Sequence, residues 1–331
     1  MTAAALPGPA LEGGGGLPPR VAVITLAHGR HDHLTAQMAG LRSGTRAPDV
    51  YVVAAMDDDE IAPIVAAAAP VAAATDVLSV ARGRRGLPLA SARNAAAAAA
   101  SRAGADVLVF LDVDCVPGPD LVARYLAECG RDVTGDGPGR PAYPQVFSGA
   151  VHYLPPRRPG QERYTATDLA ASTPHPARPV ATTTDRVAAT DLRLFWSLSF
   201  AIAATDWTML GGFDDGYEGY GGEDTDFAMR VDRAGGALWW VRGAPAYHQH
   251  HLVESPPVRH LGDIVRNSNR FHERWGVFPM QGWLSANVHT LVRATRATAS
   301  SSDSTRNETM PPKSRIWRAA IPCPGWSGRP G

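Results

Sequence analysis

The chain has 331 residues, of which 44% are hydrophobic and 19% are charged, and its 32 basic and 32 acidic side chains give a formal net charge of zero. This length accommodates one large α/β domain with appendages or two smaller domains. The balanced charge argues against nucleic acid as the main partner, because binding to phosphates needs an excess of Lys and Arg. Cys115, Cys129 and Cys323 have neither metal-binding nor disulfide spacing, which favours a reducing, cytoplasmic compartment.

Residues 1–19 are rich in Gly and Pro and lack the basic start and the apolar run of a signal peptide. We therefore expect a disordered leader there. No run of 18 apolar residues predicts a membrane span elsewhere in the sequence.

Residues 20–130 alternate short apolar runs with helical stretches, which predicts an α/β fold with a doubly wound, mostly parallel sheet. The last apolar run, VLVFL, has no polar alternation and is typical of a central strand buried on both faces. Ligands of such sheets bind beyond the carboxyl ends of the strands. The predicted strands are Val21–Leu26, Val50–Ala55, Val77–Ala81 and Val107–Leu111, and the predicted helices are His33–Leu41 and Ser91–Ala103.

Asp112 and Asp114 directly follow the VLVFL strand. Residues i and i+2 of an extended backbone point the same way, so we expect both carboxylates to face one cavity. Carboxylates are hard oxygen ligands that suit Mg²⁺ or Mn²⁺ bound to a diphosphate. The alternative is that Asp112 caps the following turn while Asp114 is solvated.

The second half, residues 145–275, has weaker periodicity. Its segment 155–190 is rich in Pro, Arg and Thr and is predicted to be a mobile insertion. The predicted strands begin at Val146 and cover Ser197–Ala203 and Ala237–Val241, and the predicted helices are Asp206–Leu210, Asp224–Ala234 and His260–Trp275.

The segment GGFDDGYEGYGGEDTD leads into the helix predicted at Asp224. Acids in a first helical turn are stabilised by the helix dipole, so a well-capped helix explains part of this pattern. Capping does not require four acids between Glu218 and Asp226 beside Tyr217 and Tyr220. An ionised Asp at a helix N-terminus can accept a proton from a bound hydroxyl, which indicates a catalytic base.

The segment Tyr247–His251, YHQHH, has three histidines within four residues. Such clustering indicates either a metal site or a loop at a polar cavity. One imidazole added to the two Asp carboxylates gives a mixed oxygen and nitrogen site, which suits Mn²⁺ better than Ca²⁺.

Residues 291–331 are basic, rich in Ser, Thr and Pro, and without helical periodicity. This composition predicts a disordered tail. The tail is either an appendage without a role or a peripheral contact to anionic lipids at the inner face of a membrane.

The motif FLDVDCVP, followed by GGFDDGYEGYGGEDTDFAMR and then AYHQ, resembles the inverting glycosyltransferases of the GT-A fold. The similar groups are family 2, the β-1,4-galactosyltransferases and the bacterial chondroitin polymerases. The resemblance implies a GT-A domain over residues 20–290, with a nucleotide-binding half at 20–130 and an acceptor-binding half at 145–275. The nucleotide-sugar site is then expected at the carboxyl ends of the strands.

The resemblance also implies roles for individual residues. Asp112 and Asp114 match the DxD motif that holds Mn²⁺, or Mg²⁺, against the diphosphate of the donor. His248 matches the histidine that completes this coordination. Asp224 matches the general base and Glu223 an acceptor-binding carboxylate.

Nucleotide contacts follow from the same resemblance. Arg30 matches an arginine of the nucleotide-binding loop, and Arg93 with Asn94 matches an Arg-Asn pair that faces the nucleotide. Asp57 or Asp58 is expected to contact uracil or ribose.

Two aromatic positions complete the resemblance. The segment Phe195-Trp196-Ser197 is similar to a tryptophan-bearing strand of the family, whereas Tyr220 replaces the tryptophan of the WGWGG motif. The Tyr220 difference leaves the donor sugar and the acceptor open.

The expected function is inverting transfer of a sugar, from a donor expected to be a UDP-sugar, to a hydroxyl of a carbohydrate, glycolipid or small-molecule acceptor. A single displacement needs no carboxylate nucleophile, unlike a retaining glycosidase. One alternative is an inactive GT-A protein that binds carbohydrate. A sugar nucleotidyltransferase is less favoured, because TLAHGRHDHL after the first strand has only Gly29 in place of a Gly-rich phosphate loop.

Overall fold

The computed structural model describes residues 18–133, 143–161, 163–252 and 257–280, together with 282 and 284. Residues 1–287 form one compact unit and residues 288–331 a second, and every feature below belongs to the first. All of the predicted tail, and all but the last two residues of the predicted leader, lie outside the described residues.

The first half alternates strands and helices as predicted. Its elements are β1 (Val21–Ala27), α1 (His31–Ser43), β2 (Val50–Met56), α2 (Ile61–Ala67), β3 (Ala74–Val80), α3 (Leu89–Arg102), β4 (Val107–Leu111), β5 (Cys115–Pro117) and α4 (Leu121–Val133).

The second half has a less regular order of elements. These are β6 (Gln145–Tyr153), α5 (Ala166–Ala171), β7 (Thr173–Pro174), β8 (Arg186–Ala188), β9 (Ser199–Ala203), α6 (Ala204–Leu210), α7 (Glu223–Arg233), β10 (Ala237–His248) and α8 (Leu261–Trp275). Short 3₁₀ turns occupy Leu192–Leu194 and Val258–His260.

The described strands form one sheet whose main path is β3-β2-β1-β4-β9-β6-β10-β5. The first four strands on this path are parallel to one another. β9 is antiparallel to both β4 and β6, β10 is parallel to β6, and β5 closes the edge antiparallel to β10. The predicted class, an α/β fold with a mostly parallel sheet, is confirmed.

Each face of the sheet is covered by helices, so the sheet is doubly wound. Leu108 and Phe110 of β4 belong to the apolar cluster that includes α3, whereas Val107, Val109 and Leu111 belong to the cluster that includes α1 and α4. All five side chains of β4 are buried. Burial on both faces explains why this strand is a continuous apolar run.

β10 extends seven residues beyond the predicted end of this strand at Val241. The register with β6 shifts between Val241 and Ala246, where Gly243 has a φ of 81°. Gly and Pro in this stretch indicate a strand end in the sequence, but here they form a bulge, after which pairing resumes. The continuation carries His248 to the edge of the sheet beside β5.

The elements α2, β5 and α4 of the first half are not predicted by the sequence, nor are α5, β7 and β8 of the insertion. β5 has only three residues, and α2 contains Pro63, so neither gives a clear periodic signal. Pro88 lies directly before the first residue of α3. β3 begins at Ala74, three residues earlier than predicted.

The predicted insertion is attached to the sheet. Thr165 and Asp168 form a capping box at the start of α5, and β7 pairs with the end of β6. The mobility expected for this segment stays a prediction. None of the described helices combines the length and apolarity needed to cross a bilayer.

Candidate active site

The turn between β4 and β5 separates the two acids of the DxD motif. The Cys115 N–H donates to the Asp112 carbonyl at 2.8 Å, which closes the turn. Asp112 contacts the Arg93 guanidinium at 3.3 Å. Asp114 lies 3.5 Å from His248 Nε2 and 3.4 Å from His251 Nε2. The two carboxylates thus contact different side chains, and the shared cavity expected for them stays a prediction.

Asp114, His248 and His251 offer three ligand atoms that lie within 4.8 Å of one another. Burial lowers the pKa of His248 despite the nearby Asp114 charge, which favours the neutral imidazole that a metal ion needs. Burial alone would raise the pKa of Asp114, but a hydrogen bond from His251 and the charge of Arg30 help to hold it below its ordinary value. One ionised carboxylate and two imidazoles fit a Mn²⁺ ion.

His251 joins this group although the resemblance assigned a role only to His248. The cluster of histidines in YHQHH was the available signal, and it did not identify which imidazoles converge. His250 is exposed and does not belong to this group. Its backbone N–H donates to the Tyr164 hydroxyl at 3.2 Å.

Arg93 of α3 connects the metal side of the site to α7. Its side chain is 5% exposed and lies 3.3 Å from Asp112 and 3.8 Å from Glu223. The guanidinium also lies 5.1 Å from the centre of the Phe213 ring. Burial raises the pKa of Asp112 and of Glu223, and the Arg93 charge opposes both shifts.

Asp224 lies in the first turn of α7, and this helix directly follows two glycines with positive φ angles. The Ser197 hydroxyl donates to its carboxylate at 2.6 Å, and the Ser197 N–H donates at 3.2 Å. These bonds fix the orientation of Asp224, and each oxygen keeps a lone pair for a further donor. The predicted base therefore has a fixed position beside Trp196.

The predicted nucleotide-binding loop joins β1 to α1. Arg30 is exposed and has a left-handed backbone with a φ of 56° at the start of α1. The Gly29 N–H donates to Asp58 at 2.6 Å, and His31 Nε2 lies 2.9 Å from the same carboxylate. Asp58 thus holds this loop, whereas Asp57 is half exposed and lies 3.6 Å from Arg82.

Asn94 holds a different loop. Its amide donates to the Phe213 carbonyl at 2.8 Å and to Asp215 at 2.6 Å, and its carbonyl accepts from the Phe213 N–H at 2.8 Å. These contacts occupy both amide N–H donors of Asn94, and the nucleotide contact expected from the resemblance stays a prediction.

The two tyrosines before α7 have different environments. Tyr217 is buried, and its hydroxyl donates to Asp226 at 3.4 Å, so it belongs to the core. Tyr220 is 38% exposed and stacks on His260 at 5.0 Å between ring centres. Of these two tyrosines, Tyr220 is the one that is exposed enough to contact a ligand.

Comparisons with known proteins agree with the resemblance inferred from the sequence. Residues 189–252, which include Asp224 and the three histidines, match a family model described as the N-terminal domain of galactosyltransferase. The validoxylamine A glucosyltransferase of Streptomyces hygroscopicus subsp. jinggangensis (strain 5008) is 28% identical over 205 residues, covering 56% of this chain and 44% of the relative. The protein of the same name from S. hygroscopicus subsp. limoneus is also 28% identical over 205 residues, covering 56% of this chain and 41% of the relative.

The chain thus spans less than half the length of these two curated relatives. A crystal structure of GalNAc-T7 with UDP, GalNAc and Mn²⁺ has 17% sequence identity and a TM-score of 0.49, covering 72% of this chain and 45% of that one. The family model and the curated relatives confirm that this chain resembles glycosyltransferases.

Proposed function

We propose that residues 20–290 form the catalytic domain of an inverting, metal-dependent glycosyltransferase that uses a nucleotide-sugar donor. The observation that carries this proposal is the arrangement of two groups at one edge of the sheet. Asp114, His248 and His251 form a candidate cation site, and Asp224 lies in the first turn of α7. Arg93 connects the two sides through Asp112 and Glu223.

The donor side would be built from the ends of β4 and β10. Asp114, His248 and His251 would hold Mn²⁺, or Mg²⁺, with the diphosphate of a UDP-sugar. When bound, the cation offsets the negative charge that develops on the departing nucleoside diphosphate. Arg30, at the start of α1, lies close enough to influence the pKa of Asp114, so its charge is placed to attract the same phosphates.

The acceptor side would be built from α7 and the strand before it. Asp224, oriented by Ser197, takes the proton of the acceptor hydroxyl while that oxygen attacks the anomeric carbon. Glu223 Oε2 is buried and has no hydrogen-bond partner among the described residues. This oxygen is thus available to accept a hydrogen bond from the acceptor. A single displacement inverts the configuration of the sugar.

The relatives' names suggest which compounds to test first. Both are named validoxylamine A glucosyltransferase, so nucleotide-glucose donors and validoxylamine A come before other pairs. The domain limits and the contact of residues 291–331 with anionic lipid stay predictions.

The proposal is tested by comparing Asp224→Asn with Asp232→Asn, a control at an exposed position of the same helix. Asp224→Asn should reduce turnover of the donor by about 10²–10⁴, the usual effect of losing a general base. Its affinity for UDP with Mn²⁺, measured by calorimetry, should be unchanged. Wild-type protein that binds UDP with Mn²⁺ but neither transfers nor hydrolyses any nucleotide-sugar would instead indicate an inactive binding protein.

A further inference from the structure

Arg178, on the insertion between β7 and β8, is a buried cation outside the groups described so far. Its side chain is only 7% exposed. The guanidinium lies 4.9 Å from the centre of the Trp240 ring and 5.4 Å from that of Trp196. Nη2 donates to the Ser148 hydroxyl at 2.9 Å. Nη1 is buried and has no hydrogen-bond partner among the residues that the structure describes.

No carboxylate among the described residues forms an ion pair with Arg178. The other buried arginine of the site, Arg93, has two acidic neighbours within 4 Å. Burial of a guanidinium without a counter-ion is unfavourable, because the charge loses its hydration and receives little in return. Burial lowers the pKa of Arg178, and the charge of Asp224, which forms no ion pair with it, opposes this shift only in part.

The turn that carries Arg178 offers a second donor. The Arg178 N–H donates to the His175 carbonyl at 3.0 Å. The Ala177 N–H donates to His175 Nδ1 at 3.1 Å. Because Nδ1 accepts this bond, the ring proton of a neutral His175 is on Nε2. One turn thus carries a guanidinium N–H and an imidazole N–H that form no ion pair with any carboxylate in the described part of the chain.

This turn lies between the candidate base and the candidate cation site. The His175 ring meets the Trp196 ring edge-on at 4.7 Å and the Tyr153 ring at 5.9 Å. Tyr153 stacks on His248 at 5.0 Å. Trp196 directly precedes Ser197, which holds Asp224. The turn therefore lies next to Trp196, on the Asp224 side of the site, where the acceptor would bind.

We propose that Arg178 and His175 bind an oxyanion, a carboxylate or a phosphate, carried by the acceptor. The inference rests on the proposed function for the identity of the acceptor side. Asp114 and Asp224 place two carboxylates in the site, so an anionic acceptor needs a cation that no ion pair already neutralises. Nη1 lies below the surface in this structure, and the ligand reaches it once a side chain of the turn or the Trp196 ring shifts.

The test measures binding by calorimetry in the presence of saturating UDP and Mn²⁺. The probes are D-glucose, D-glucuronate and D-glucose 6-phosphate, which differ in the oxyanion. At least one of the two anions should bind about tenfold or more tightly than glucose, since a charge-assisted hydrogen bond contributes roughly 1.5–3 kcal/mol. The preferred anion shows whether the group is a carboxylate or a phosphate.

Three variants show whether Arg178 causes the preference. Arg178→Met should abolish the preference for the anion while leaving UDP affinity unchanged, and Arg178→Lys should retain part of it. Arg193→Met is the matched control, since Arg193 has an 80% exposed side chain. Melting temperatures show that each variant is folded.

The proposal is overturned if glucose binds the wild-type protein as well as both anions, or if none of the three binds. It is also overturned if the anion preference survives in Arg178→Met, or if that variant loses UDP affinity, because Arg178 would then contact the donor. Failure of the proposed function is seen separately, as absence of nucleotide-sugar turnover in wild-type protein that still prefers an anion.

Discussion

The acids Asp112 and Asp114 show how far a motif determines a site. The apolar run of β4 allowed both acids to be placed at the carboxyl end of a strand. A buried strand of this kind is easy to identify, and its carboxyl end is a common ligand position. Their division between Arg93 and the histidines depends on the turn before β5. The strand that follows this turn, β5, has only three residues, which are too few to show a periodic pattern in the sequence.

His250 and His251 form a matched pair for testing the cation site. His251→Ala should weaken Mn²⁺ binding by at least about tenfold, because it removes one of three converging ligands. His250→Ala should have little effect, since His250 is exposed and outside the cluster. Titration of Mn²⁺ in the presence of UDP measures both. Equal losses in the two variants would contradict the assignment.

Glu223 gives a prediction for stability against pH. Burial, reinforced by the charge of Asp224, raises its pKa from the ordinary 4.5 to about 8, although Arg93 opposes the shift. Between these values the unfolded chain releases a proton that the folded chain retains, so this carboxyl reduces stability as pH rises.

Glu223→Gln should therefore match the wild type near pH 4.5 and become more stable by about 1–3 kcal/mol near pH 8. Urea denaturation at several pH values measures the difference. Glu60→Gln is the control, because the Glu60 side chain is 78% exposed. If Glu223→Gln becomes less stable than the wild type as pH rises, the interaction of the Glu223 carboxylate with Arg93 dominates.

Arg178 could not be found from the sequence. It lies in a segment whose Pro, Arg and Thr content indicates a loop, and its environment comes from two tryptophans on other segments. Asp224 was easier to locate, because two glycines and an acidic first turn mark the start of α7.

β6 and β10 illustrate what pairing adds to the pattern of single strands. Both strands were predicted from the sequence, but the bulge of β10 depends on how the backbones of β6 and β10 pair. Gly149 of β6 lies against the Ala244 carbonyl on the bulge, and the Gly149 N–H donates to the Tyr125 hydroxyl at 2.8 Å. A Cβ atom at Gly149 would overlap the Ala244 backbone.

Gly149→Ala should accordingly destabilise the fold by about 3 kcal/mol or more, because the overlap is with backbone in a buried sheet. The comparison is Gly262→Ala in the first turn of α8, where a Cβ meets no atom within 4 Å. That change should stabilise the protein by about 0.5–1 kcal/mol. Chemical denaturation distinguishes the two signs, and a neutral Gly149→Ala would mean that the bulge relaxes readily.

The last described helix, α8, joins the molecule through buried charge rather than through an apolar face alone. Asp226 of α7 is fully buried and accepts hydrogen bonds from Arg230, Arg274 and the Trp275 indole. The helix α8 was predicted, but nothing in the sequence indicated that Asp226, one of four clustered acids, serves packing instead of catalysis.

Asp226→Ala should therefore reduce the free energy of unfolding by about 3–5 kcal/mol, since it leaves the partly buried Arg230 and Arg274 without this acceptor. Asp232→Ala, at an exposed position of the same helix, should change stability by less than about 0.5 kcal/mol. Denaturation in urea gives both values. A mild effect at Asp226 would show that Asp214, 3.0 Å from Arg274, is sufficient to hold α8.

The edge pairing of β5 with β10 has a consequence for the order of folding. Cys115 faces His248 in this antiparallel ladder, and the Gln249 N–H donates to the Asp114 carbonyl at 2.7 Å. The paired segments are about 130 residues apart in the chain, and contacts between such distant segments form slowly because a long loop must close first. The ligands of the candidate cation site are therefore assembled only after β1–β4 and the second half have met. A cation that binds these ligands would stabilise only the fully folded protein. The appearance of cation binding during refolding would therefore mark the final stage of folding.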